Sequence, residues 1–353
     1  MSKLQKLRAS FSKAGIDALF ITSPVNRRYI SGFTGTAGAV LISEKAALFI
    51  TDFRYMEQGK NQAVGFNVIE HGRSLYETVQ EKLQELGIKR LGFEKHDLSY
   101  AQYETISKAF SAELVPVDSL VEELRLIKTE EELLVMKQAA KIADDAYDYI
   151  QTKIKPGVRE IEISNELEFF MRSQGASSSS FDIIVASGLR SALPHGVASD
   201  KIIQEGELVT LDYGAIFNGY CSDITRTLAV GEISGELKKI YDTVLEAQVR
   251  GVDGIKAGLT GREADALTRD YINEQGYGKY FGHSTGHGLG LEVHEQPALS
   301  ARSETVLKPG MVVTVEPGIY IPGVGGCRIE DDIVITETGN ERLTHAKKEL
   351  IHL

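Results

Sequence analysis

Two acidic pairs mark where this sequence could do chemistry. Asp212 closes the β-rich run Glu207-Leu208-Val209-Thr210-Leu211, and Asp223 follows beyond the turn residues Asn218-Gly219. Glu316 closes Met311-Val312-Val313-Thr314-Val315, and Glu330 follows beyond Gly323-Val324-Gly325-Gly326. Asn-Gly favours a two-residue hairpin because both residues tolerate positive φ. A hairpin there brings Asp212 and Asp223 close together across paired strands. If the second segment folds like the first, four carboxylates converge. Burying them unpaired would cost several kcal/mol each, so dications are the natural counterions. Hard oxygen donors joined by one imidazole suit two ions of the Mn, Co or Zn kind, bridged by carboxylates.

Gly282-His283-Ser284-Thr285-Gly286-His287-Gly288-Leu289-Gly290 offers the imidazole, and His294 follows closely in a chain with only eight histidines. The glycines at 282, 286, 288 and 290 are expected to let backbone approach a ligand. A flexible glycine loop with solvent-facing histidines is the bland alternative. A phosphate loop would need Gly-Lys-Ser/Thr, which is absent. His195, in Leu193-Pro194-His195-Gly196, stands ahead of the first carboxylate run and reads on its own as a loop histidine. Cys221 and Cys327 flank ligand positions in both segments and read as small buried hydrophobes.

The elements that must hold these residues form two domains. Residues 1–125 alternate helical and extended patterns: strands at Ala18 to Ile21, Ala39 to Ile42, Ala47 to Ile50, Phe66 to Ile69 and Arg90 to Phe93, with helices at Ser74 to Leu86 and Tyr100 to Phe110. This predicts a small α/β domain. Thr129 with Glu132 is a capping box opening a long helix through Ile150, where the second domain, 126–353, begins. That domain repeats itself. Ile154-Lys155-Pro156-Gly157 and Ile255-Lys256-Ala257-Gly258 each precede a helical pattern ending in Gln-Gly, and the two carboxylate runs match at a similar offset of about 100 residues. Two copies at so long a period predict a pseudo-twofold domain with a site between its halves, not a solenoid.

With 353 residues, 42% hydrophobic and 25% charged, the chain is an ordinary globular protein and not a disordered one. No apolar run approaches the ~20 residues that span a bilayer, and no signal-peptide core opens the chain, so no membrane association and a cytoplasmic location are expected. Two cysteines cannot make a disulfide framework. A formal charge of −11 without a basic stripe excludes a nucleic-acid footprint.

Several of these stretches together resemble a known family. They are Phe181-Asp182-Ile183-Ile184-Val185-Ala186-Ser187-Gly188 with Pro194-His195-Gly196, Leu211-Asp212-Tyr213-Gly214, Ser222-Asp223-Ile224-Thr225-Arg226-Thr227, Gly282 to Gly290, Val315-Glu316-Pro317-Gly318-Ile319-Tyr320 and Arg328-Ile329-Glu330-Asp331. The chain is similar here to the pita-bread metallopeptidases, which include methionine aminopeptidase, aminopeptidase P and prolidase. Asn26 to Gly35 and Asp52-Phe53-Arg54-Tyr55 resemble the creatinase-like amino-terminal domain of the prolidase and aminopeptidase P branch. The resemblance implies a mixed α/β (α+β) protein, a creatinase-like domain before a pita-bread catalytic domain. It implies that Asp212 and Asp223 hold one metal, His287 and Glu316 the other, with Asp223 and Glu330 bridging. A hydroxide between the metals would be the nucleophile, and Glu316 would carry its proton to the leaving nitrogen. His294 and His283 would donate to the carbonyl oxygen or the tetrahedral intermediate, His195 would position substrate, and Arg328 would orient a carboxylate ligand.

The expected activity is therefore two-metal hydrolysis of the Xaa-Pro bond in short proline-containing peptides, with manganese the foremost ion and a homodimer implied by the resemblance. An Xaa-Pro bond has no N–H, so proteases that depend on that hydrogen bond handle it poorly. A dipeptidase (prolidase) is the first expectation and an aminopeptidase on longer peptides the alternative. A dipeptidase needs a cation for the proline carboxylate; Arg302 could supply it, whereas Ala298 stands where some dipeptidases have arginine. A metal-free creatinase-like enzyme or a non-catalytic binding protein would lack the ligand set that is retained here.

Overall fold

The computed structural model describes residues 1–353, which separate into two units, Met1–Arg125 and Leu126–Leu353. The first contains, in order, α1 (Lys3–Ala14), β1 (Ala18–Ile21), α2 (Pro24–Ser31), β2 (Ala39–Ser43), β3 (Ala47–Thr51), α3 (Met56–Gln62), β4 (Asn67–Glu70), α4 (Leu75–Leu86), β5 (Arg90–Glu94), α5 (Tyr100–Ala109), β6 (Glu113–Val117) and α6 (Glu122–Arg125). Its sheet runs β4-β3-β2-β1-β5-β6, antiparallel in the centre and parallel towards both edges. The central strands are apolar on both faces and buried, as strands covered by helices must be. Phe20, Leu41, Ile50, Val79, Leu91 and Ile106 belong to one core. Sequence periodicity did not reveal α3, which is short and polar, or β6, which is short, interrupted by Pro116 and partly exposed.

In the second unit, α7 (Glu130–Ile150) starts at the Thr129 capping box, Thr129 Oγ accepting from Glu132 N and the Glu132 side chain accepting from Thr129 N. There follow α8 (Glu160–Ser173), β7 (Ser178–Ser179), β8 (Ile184–Ser187), β9 (Glu207–Tyr213), β10 (Ala215–Phe217), β11 (Tyr220–Cys221), β12 (Ile224–Val230), α9 (Gly235–Gly254), α10 (Gly261–Glu274), β13 (Gly286–Gly288), β14 (Glu295–Leu299), β15 (Val312–Val315), β16 (Gly318–Ile321), β17 (Gly325–Arg328), β18 (Asp331–Ile335) and β19 (Asn340–Arg342). The repeat is a structural one. A packed helix pair, α7/α8 or α9/α10, precedes a sheet, β12-β9-β8 in the first half and β14-β13-β15-β18-β19 in the second. Each half also places a small hairpin, β10/β11 or β16/β17, between the two strands that end at its acids. No helix is long and apolar enough to cross a membrane.

Candidate metal centre

Strand register sets the acids. β9 and β12 pair with Asp212 opposite Thr225, and Asp223 sits one residue before β12. Between them the chain reverses at Asn218 and Gly219, whose φ angles of 46° and 85° are what a tight hairpin turn demands. The second half repeats this: β15 pairs with β18, Val315 opposite Asp331, so Glu316 and Glu330 each lie one residue outside the ladder. The halves are joined across the middle by Thr225, whose hydroxyl donates to Glu330 Oε2 at 2.6 Å, and by Asp223 N–H, which donates to Asp332 Oδ2 at 2.9 Å.

His287 belongs to strand β13, so the flexible-loop alternative does not hold, and the glycine before it closes on a neighbouring strand where approach to a ligand was expected. A Cβ on Gly286 would come within 1.9 Å of Thr314 O, so the glycine exists for strand packing, while Gly282 has open space around it. Candidate ligand atoms of Asp223, His287 and Glu330 all lie within 4.8 Å of one another. His287 Nδ1 is 3.0 Å from Gly288 O, which can only accept, so Nδ1 carries the proton and Nε2 presents a lone pair. That lone pair faces Asp223 Oδ2 at 3.6 Å and Glu316 Oε1 at 3.4 Å. Buried Asp223 Oδ1 and Glu330 Oε1 have no hydrogen-bond partner.

Asp223, Glu330, Glu316 and His287 Nε2 thus turn acceptors towards one space, two of whose carboxylate oxygens no protein group serves. Burial, reinforced by the charge of neighbouring carboxylates, pushes Asp223 and Glu330 well above the usual carboxylate range, and burial against the opposing charge of Arg328 pushes Glu316 up to about 8. Burial also pulls His287 down to about 4, keeping it a neutral ligand. The donor set of carboxylate oxygens and one imidazole nitrogen, with two orphaned buried oxygens, fits divalent cations.

Beside the acids runs a polar chain that the sequence reading only partly anticipated. Arg328 donates through Nη2 to Asp212, through Nη1 to Tyr320 Oη at 2.6 Å and Pro194 O at 3.1 Å, and through Nε to Thr225 Oγ1 at 3.2 Å. Tyr320 Oη lies 2.9 Å from His283 Nε2, and His283 Nδ1 lies 2.8 Å from Ser284 O. Since Ser284 O only accepts, Nδ1 holds the proton and Nε2 accepts from Tyr320. His283 therefore offers no free donor to a carbonyl oxygen, contrary to the expectation for it. Burial, followed by the nearby Arg328 charge, lowers its pKa to about 4. Tyr320 stood inside a recognised stretch without a role; its position four residues past Glu316 is the only signal the sequence offered.

A cavity of about 470 Å³ opens over these groups, walled by Phe181, Ile184, Val197 and Val293 and including His195 and His294. Both histidines are exposed and neither ring makes a hydrogen bond, although His294 stands edge-on to His287 with centroids 4.4 Å apart. Arg328 is the one cationic side chain in the lining, and Arg302 is exposed outside it. Cys221 and Cys327 are free and buried, their thiols pushed up to about 12 by burial, so neither is a thiolate ligand at neutral pH.

Residues 135–337 match metallopeptidase family M24, and residues 3–127 match the creatinase/prolidase amino-terminal domain. An uncharacterized peptidase of Bacillus subtilis, YqhT, is 63% identical over 99% of this chain and 100% of its own. A solved Xaa-Pro dipeptidase from Bacillus anthracis shares 64% identity, covers 99% of both chains and superposes with a TM-score of 0.99. A solved X-Pro aminopeptidase from Thermotoga maritima shares 42% identity over 98% of this chain and 100% of its own, with a TM-score of 0.92.

Proposed function

We infer, from the premise that this chain belongs to metallopeptidase family M24, that it is an Xaa-Pro dipeptidase working with two divalent ions, manganese foremost. The observation that carries this reading is the cluster of Asp223, His287 and Glu330, whose ligand atoms meet while one buried oxygen of each carboxylate has no hydrogen-bond partner. Asp212, Asp223, His287, Glu316 and Glu330 would hold the ions. When bound, these supply a Lewis acid for the scissile carbonyl and a water acidic enough to attack at neutral pH.

The remaining work falls to this chain's own groups. Glu316, half-buried beside His287, accepts the proton of the attacking water and returns it to the proline nitrogen, which cannot leave as an anion. His195 and His294, free at both ring nitrogens, donate to the substrate's carbonyl oxygens, His294 to the one on which negative charge develops. Arg328 fixes Asp212, and Tyr320 fixes the His283 ring as part of the wall. The apolar side chains Phe181, Ile184, Val197 and Val293 suit a pyrrolidine ring. A cytoplasmic homodimer is the accompanying expectation, supported by likeness to the family and by two unpaired thiols.

One observation favours a second reading, an aminopeptidase on longer peptides. The one arginine in the lining, Arg328, is already engaged with Asp212, which leaves no permanently charged side chain there free for a proline carboxylate. Metal-reconstituted protein assayed on Xaa-Pro and Xaa-Pro-Yaa peptides tests both. Faster cleavage of the dipeptide supports the first reading, preference for the tripeptide supports the second, and turnover of neither rejects both.

A further inference from the structure

The His195 ring has no hydrogen bond, so its place in the cavity is set wholly by the backbone of residues 188–198. That loop is closed at both ends on a single carboxylate. Glu160, the first residue of α8, is completely buried. Its Oε1 accepts from Ser187 N and Ser187 Oγ, both at 2.8 Å. Its Oε2 accepts from Ser199 N at 3.2 Å, from Ser199 Oγ at 2.7 Å and from Arg190 Nη1. Arg190 in turn donates through Nη2 to Val197 O at 2.8 Å, bracing the loop two residues past His195.

We propose that Glu160 is a positioning residue for the reaction, acting through the loop that carries His195; this rests on the reading of His195 as a donor to substrate. The helix itself does not need this anion. The first turn of α8 is served by Glu162, whose side chain accepts from Arg159 N, and the Glu160 N–H donates to Lys201 O at 3.0 Å. Only a carboxylate offers two oxygens that can each accept several donors without presenting a donor of its own. A glutamine would turn an NH₂ towards the donors of Ser187 or Ser199 in a fully buried site. Arg328 on Pro194 O, Gly326 N–H on Ser191 Oγ and Ala198 N–H on Ile183 O keep the loop folded, so losing one end of the clasp shifts residues 188–198 without unfolding them. A histidine held only by its backbone then loses its aim, and small displacements of a catalytic donor are costly.

The test is a double-mutant cycle on the metal-loaded enzyme with an Xaa-Pro substrate. Glu160→Gln should lower kcat/KM about tenfold with metal content unchanged, yet by less than about twofold when His195→Ala is already present. A merely structural glutamate would give the same fold-loss in both backgrounds, and that result, or a Glu160→Gln enzyme within twofold of wild type, overturns the proposal. If Glu160→Gln does not fold, Ser199→Ala removes one clasp donor and keeps the charge. It should lose about threefold, only when His195 is present, and Ser199→Thr should restore activity; equal loss in both backgrounds again overturns the proposal. A harmless His195→Ala with intact metals would sink the reading of His195 and the proposal with it. A damaging His195→Ala beside an additive Glu160→Gln would sink the proposal alone.

Discussion

At the residue scale, the site consists of bases held together by a few donors, and the two kinds of residue should fail differently. Asp223 faces His287 Nε2 and has one orphaned buried oxygen, so Asp223→Asn should weaken metal binding and abolish activity together. Metal titration should show reduced stoichiometry or affinity, and unchanged binding would remove Asp223 from the ligand set. Tyr320→Phe should act differently. It deletes the hydroxyl between Arg328 and His283, leaving a ring nitrogen and a guanidinium N–H without that partner, each worth about 1–3 kcal/mol when buried. The expected outcome is a fall in kcat/KM of about tenfold or more with both metals retained, read by steady-state kinetics beside elemental analysis. That Asp223, His287 and Glu330 come together was expected from the sequence, the acids because they close or follow strand runs joined by glycine turns and His287 because it lies in a glycine-rich stretch in a chain with few histidines. Tyr320 was not. An aromatic residue in a strand looks like core, and its role depends on a pairing that puts Tyr320 opposite Gly326 and on the same hairpin face as Arg328.

At the element scale, the repeated order of helix pair, strand, hairpin and strand was visible because apolar runs and Gly punctuation recur together. Short elements with mixed burial, α3 and β6, carry no such period and were found only in the structure. The histidine-rich stretch was misjudged for a physical reason: glycine permits close approach, but sequence does not say to what. Here the approaching group is a neighbouring strand. Gly286→Ala should therefore break the β13/β15 contact, since its Cβ would meet Thr314 O at 1.9 Å. The cost should be about 3 kcal/mol, the upper end for overpacking, with loss of metal because His287 is the next residue. Gly282→Ala, with nothing within 4 Å, should leave stability and activity near wild type. Thermal melts and metal content of the two variants check this, and equal behaviour would refute the assignment of Gly286 to packing.

At the scale of the whole molecule, the acidic cluster makes stability depend on metal and pH jointly. In metal-free protein Asp223, Glu330 and Asp332 are raised well above ordinary carboxylates, and Glu316 to about 8, chiefly by burial. An acid whose folded pKa exceeds its unfolded value binds more protons when folded. Its contribution to stability is full below the unfolded pKa and is lost as pH rises through the folded one. His283 and His287, lowered to about 4, work in the opposite direction, but only below the unfolded histidine value near 6.5. Between about pH 6.5 and 8.5 the carboxylates dominate, joined near the top of the range by the raised thiols of Cys221 and Cys327, which act in the same direction. Each proton that the folded state still holds and the unfolded chain has released weakens stability by up to about 1.4 kcal/mol per pH unit, so chelated protein should become less stable by a few kcal/mol across that window. Bound dications replace those protons and should flatten the dependence, because the ligands are then ionised at every pH in the range. Melting curves of chelated and Mn²⁺-loaded protein at pH 6.5, 7.5 and 8.5 should diverge as pH rises, the chelated Tm falling by several degrees. A chelated Tm that stays level or climbs over that range would mean that Asp223, Glu316 and Glu330 do not share one buried site, and the metal centre would have to be rebuilt from other residues.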